Sequence, residues 1–141
     1  MQTNIYLIQP LIALVLWSMI MWVWLYATRL PAISAMKLKL DPNIPSNSLM
    51  AQLPPRIRWK ADNYNHLMEQ PTIFYALVLS LAFLGESSLI NIYAAWAYVV
   101  IRIIHSLVQA LINKIELRFI LFCLSNIALL VLTLSAVVAV L

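Results

Sequence analysis

Residues 89–112 read LINIYAAWAYVVIRIIHSLVQALI. The run is apolar for longer than the roughly 20 residues needed to cross a hydrocarbon core. Yet it contains Arg102, His105 and Gln109. Those residue types inside a span are costly and usually face a bundle interior or a ligand. At 100° per residue the three fall within an arc of about 60°, with Tyr98 on the same stripe. The stretch predicts a membrane helix with one polar face turned inward.

Three further runs have the length and composition of spans. They cover about Ile5 to Thr28, about Asn63 to Leu84 (closing at Gly85, the only glycine) and about Phe119 to Leu141. The chain of 141 residues is 64% hydrophobic and only 10% charged. Soluble domains sit near half apolar and a quarter charged, so an all-α membrane protein of four transmembrane helices in one domain is expected. The first run lacks a basic leader and a small-residue cleavage site, and reads as a retained helix rather than a signal peptide.

Six of the nine Lys and Arg lie between the first and second runs: Arg29, Lys37, Lys39, Arg56, Arg58 and Lys60. Lys114 and Arg118 lie in the third connection, whereas the second carries only Glu86. The positive-inside rule therefore puts the first and third connections in the cytoplasm and both termini on the opposite side. The net charge of +4 is too sparsely placed for a nucleic-acid surface. The single Cys123 excludes an intrachain disulfide and reads as a small buried hydrophobe. Trp17, Trp22, Trp24 and Tyr26 read as interfacial anchors and lipid-facing bulk, and Asn126, Thr133 and Ser135 as interhelical hydrogen-bonding groups.

The second run carries Asp62, Asn65, His66 and Glu69 within an arc of about 100°. Glu69 lies roughly 9 Å in from the basic end, His105 roughly 10 Å and Arg102 roughly 15 Å, at 1.5 Å per residue. A Glu69–Arg102 or Glu69–His105 pair between antiparallel neighbours is therefore expected. Pro71 removes a backbone donor beside it and frees carbonyls near the polar level. Such a pair by itself is a lock between two helices. The added His105, Gln109, Asn65 and His66 favour a site for a small anionic or zwitterionic ligand. Four short helices without a broken-helix pair or internal symmetry argue against a transporter.

Three stretches resemble the MAPEG superfamily, the membrane-associated proteins of eicosanoid and glutathione metabolism. They are Asn65-His66-Leu67-Met68-Glu69-Gln70-Pro71-Thr72-Ile73-Phe74, then Ala95-Trp96 leading to Arg102-Ile103-Ile104-His105, and Arg118 after a short basic connection. With the four-span layout the likeness covers most of the chain, and it looks closest to the bacterial branch. The resemblance implies a homotrimer in a bacterial inner membrane, with glutathione as co-substrate between subunits near the cytoplasmic face. It implies that Arg118 stabilises the thiolate, that Glu69 holds the glutathione amino group and that His105 lines the pocket. Arg29 and Lys114 would meet the carboxylates, with Asn65, His66, Arg102 and Gln109 completing the site. The implied activity is a glutathione-dependent transferase or peroxidase acting on hydrophobic electrophiles or lipid hydroperoxides. The chain departs from the family pattern at Asp62, His66, Gln109 and Phe119. Those departures motivate the alternative of a non-catalytic lipid-binding or scaffolding protein of the same fold.

Overall fold

A computed structural model describes residues 3–39 and 41–141. Six helices follow one another: α1 (Thr3–Ala35), α2 (Ser46–Met50), α3 (Pro55–Glu69), α4 (Pro71–Leu84), α5 (Leu89–Leu111) and α6 (Ile115–Val140). With α3 and α4 read as one interrupted span, four helices are long and apolar enough to cross a membrane. The protein is an all-α, four-span membrane bundle.

The helix ends sit further out than hydropathy placed them, for local reasons. Helix α1 runs through Pro31 to Ala35 and stops where Lys37 turns left-handed, at φ 49°. There the Leu38 amide donates to the Ile33 carbonyl and the Lys37 amide to Ser34, which closes the open end of the helix. Helix α3 starts at Pro55, whose missing N–H costs nothing in a first turn, so the basic stretch before Asn63 is helical too. Likewise α6 begins at Ile115, which puts Arg118 within its first turns rather than at its start. Gly85 closes α4 as its sequence position suggested: it holds φ 80°, with the Glu86 amide donating to Leu81.

Helix α5 is the centre of the bundle. It packs most extensively on α6 and also against α1 and α3. Half of its most apolar stretch is buried within the chain, against 22% for that of α6. Leu7, Leu11, Leu14 and Met21 of α1 meet Phe74, Val78 and Leu81 of α4, and Leu129 and Leu132 of α6 join the same core. Phe74 and Tyr98 stack with ring centroids 4.4 Å apart. The second span changes neighbours at its break. Before Pro71, α3 packs on α1 and α5; beyond it, α4 packs chiefly on α1 and α6. At the junction Gln70 donates to Asn126 of α6.

The outer surface is apolar, with Phe83, Leu89, Tyr93, Phe119, Ile127 and Val138 all exposed. That is a lipid-facing composition rather than a water-facing one. Polar side chains on these helices are satisfied largely within their own helix, as the bilayer requires. Ser18 donates to the Leu14 carbonyl, Thr28 to Trp24, and Thr133 to Leu129, so Thr133 does not bridge helices as its sequence position suggested. Trp24 lies under the Lys60 ammonium, 5.1 Å from the ring centre, while Trp22 is exposed.

An added Cβ at Gly85 meets no atom within 4 Å, so only its backbone demands glycine. Gly85→Ala is expected to cost about 1 kcal/mol. The check is a lowered thermal midpoint in detergent with unchanged helical content.

Candidate functional site

The stripe on α5 lies where the periodicity put it. Tyr98, Arg102, His105 and Gln109 are all buried within a single chain, Arg102 to 1% exposure. The facing residues on α3 differ from the expectation. Asp62, Asn65 and Glu69 are exposed, and only His66 of that arc meets α5. Helix α3 is turned by roughly a third of a turn from the predicted facing. Leu67, buried to 1% exposure, sets this rotation, because the apolar residue takes the inner position. Asn63 comes inward with it and donates to Ser106 of α5 at 2.6 Å.

Arg102 is therefore not paired with Glu69, and neither is His105, among the described residues. Its Nη2 donates instead to the His66 carbonyl at 3.1 Å and lies 3.3 Å from His66 Nδ1. The next turn is where Pro71 interrupts the second span, and backbone carbonyls there become available to a partner outside the helix. A guanidinium has only donors. Neutral His66 therefore accepts at Nδ1 and carries its proton on Nε2. The guanidinium also lies 6.0 Å above the Phe122 ring, while its Nε and Nη1 have no partner among the described residues.

Beside this clasp lies a groove of about 370 Å³ lined by His66, His105, Ile115, Arg118, Phe119 and Phe122. The two imidazoles stack, 5.3 Å between centroids and 22° between planes, and Phe122 meets His66 edge-on at 5.8 Å. Arg118 is fixed from below. Its Nη1 donates to Asn113 Oδ1 at 2.6 Å, and Asn113 sits in the left-handed turn after α5 at φ 55°. The groove thus combines a fixed guanidinium, two imidazoles and apolar walls at the end of the bundle that carries the long connection.

The other candidates lie apart from it. Arg29 and Asn65 line a second, polar groove of about 520 Å³ at the same end, with Arg58 and Asp62. Lys114 is exposed at the cap of α6, where its carbonyl accepts from the Arg118 amide at 3.1 Å. Gln109 is enclosed on α5, its Oε1 without a partner among the described residues. Glu69 faces outward from the chain, its carbonyl taking the Thr72 hydroxyl at 2.7 Å. Asn63, Ser106, Phe122 and Arg58 are the participants that periodicity did not single out. Asn63 lies outside the polar arc, and an apolar wall has no signature in the sequence.

A family model described as the MAPEG family matches residues 7–138. No curated protein and no solved structure matches the chain. The chain belongs to the MAPEG family. That family includes glutathione transferases and peroxidases, and its members commonly use glutathione.

The Asn63–Ser106 clip is a second polar link between α3 and α5, beside the Arg102–His66 clasp, of the kind that the bilayer should enforce. Asn63→Ala is expected to cost about 1 kcal/mol, because it strands the buried Ser106 hydroxyl. In Asn63→Ala/Ser106→Ala the second substitution should add less than it costs alone. A double-mutant cycle on detergent-solubilised protein measures that coupling.

Proposed function

We propose that this MAPEG chain is a glutathione-dependent membrane transferase or peroxidase that acts on hydrophobic electrophiles or lipid hydroperoxides as a homotrimer. The observation that carries the reading is the groove in which Arg118, His66 and His105 stand against Phe119 and Phe122. Its volume of about 370 Å³ is within the roughly 300–1,000 Å³ of small-molecule sites. Arg102, enclosed behind the groove at 1% exposure, adds positive charge beside it that favours an anionic ligand.

Glutathione, when bound, supplies a thiol whose ionised form is the nucleophile. Arg118 favours that ionised form by its charge, and Asn113 holds the guanidinium in place beforehand. His66 offers a neutral Nε2–H as a hydrogen-bond donor, because Arg102 engages its other nitrogen. Phe119 and Phe122 provide an apolar, water-poor wall for a substrate that partitions into lipid.

Glu69 and Asn65 are assigned to the glutathione amino group, and Arg29 and Lys114 to its carboxylates. The first two lie on the outer face of the chain, within a span. An uncovered carboxylate at that depth is costly, which favours a neighbouring subunit against it. MAPEG proteins are often trimers. The basic end, with the long connection, is assigned to the cytoplasmic side of a bacterial inner membrane. The placement of Asp62 beside Arg29 favours the rival reading, a non-catalytic lipid-binding protein, since an acidic group there opposes a carboxylate ligand.

Glutathione should raise the thermal midpoint of the purified protein, by an amount equivalent to about 2.7 kcal/mol at a hundredfold excess over Kd. Glu69→Ala should abolish that shift. Arg118→Ala should lower conjugation of a chromogenic aryl halide by about tenfold to hundredfold while the protein remains folded. No shift and no conjugation with any electrophile, together with lipid retained in the groove, would establish the lipid-binding alternative.

A further inference from the structure

The opposite end of the bundle carries a second built feature. The turn from α4 to α5 and the last turns of α6 enclose a groove of about 430 Å³ lined by Glu86, Ser88, Asn91, Leu134, Ser135 and Val138 among others. Asn91 is 1% exposed and uses its amide group within the turn, Nδ2 donating to the Glu86 carbonyl at 2.9 Å. Its Oδ1 accepts nothing among the described residues. A buried acceptor left open at a membrane interface calls for a donor from outside the chain.

The lining identifies that donor. Glu86 is the only charged side chain at this end among the described residues, and it is exposed toward the groove. Ser88 caps α5 and takes the Asn91 amide at 3.3 Å, so the amides of Leu89 and Ile90 begin the helix without a helical carbonyl. A carboxylate and an open amide oxygen suit an N–H-bearing cation. The start of a 23-residue helix suits a phosphate beside it. Leu134 and Val138 continue the groove as apolar surface along α6.

We propose that this groove is a phospholipid site selective for a primary-ammonium headgroup, that of phosphatidylethanolamine. Glu86 and Asn91 Oδ1 receive the ammonium hydrogens, the first turn of α5 receives the phosphate, and an acyl chain lies along α6. A choline headgroup has the same charge but no N–H to donate, so the site distinguishes the two. An anionic headgroup without an amine meets Glu86 unfavourably. The site stands apart from the thiol groove, at the other end of the bundle.

The test is native mass spectrometry of the full chain released from nanodiscs holding equal amounts of phosphatidylethanolamine, phosphatidylcholine and phosphatidylglycerol. Wild type should retain the ethanolamine lipid about tenfold over the choline lipid, the scale of one charge-assisted hydrogen bond. Glu86→Gln should bring the two near parity, and Asn91→Ala should weaken the preference. Asn91→Ala also loosens the turn, so Glu86→Gln decides, since that exposed carboxylate has no hydrogen-bond or ion-pair partner among the described residues. Equal retention by wild type, a preference for phosphatidylglycerol, or an ethanolamine preference that survives Glu86→Gln would overturn the proposal.

Discussion

A guanidinium buried at the level of a bilayer core has to be met by protein, and the arrangement of this bundle follows from how Arg102 is met. No carboxylate reaches it among the described residues. A backbone carbonyl and a ring nitrogen of His66 take one of its amino groups, and an aromatic face lies above it. A neutral clasp of this kind leaves the charge in place. An ion pair would have cancelled the field at the groove, whereas this arrangement leaves the cation and two of its nitrogens uncommitted. The clasp also sets the tautomer of His66 and holds α3 against α5.

The break at Pro71 connects that clasp to the rest of the fold. It lies one turn beyond His66, where backbone groups are freest to leave the helix ladder, and it lets the second span keep α1 as a neighbour while exchanging α5 for α6. Gln70 marks the exchange by reaching Asn126 of α6. Helix α6 in turn delivers Phe122 to the His66 ring and Arg118 to the groove. Loss of the Arg102–His66 contact would therefore disturb wall, charge and imidazole stack together, although α3, α5 and α6 all contribute to them.

Much of this was legible in the residues. Hydropathy alone marked four spans, and the 100° step placed Tyr98, Arg102, His105 and Gln109 on one buried face. Both depend on properties that a helix cannot hide. Angular arithmetic was less informative for α3, because it counts polar residues as a direction. The actual rotation comes from burying Leu67 and joining Asn63 to Ser106, a competition between faces that needs both helices in view. Helix ends differ from the limits of the apolar runs because proline is compatible with a helix start and can be carried near a helix end. Pro55 starts a helix and Pro31 is carried within one. Of the apolar walls of the groove, Phe119 stood out only as a departure from the family pattern and Phe122 not at all, because aromatic residues in a membrane helix are ordinary lipid-facing bulk until their neighbours are known.

The groove beside the Arg102 clasp is proposed to receive a thiol at Arg118. The most direct measurement is a structure of the protein in lipid, determined with saturating glutathione. Density is expected for the tripeptide with its sulfur beside the Arg118 guanidinium, and with Arg102 still bound to the His66 carbonyl. Continuous acyl-chain density in the groove under those conditions, or glutathione bound away from Arg118, would contradict it.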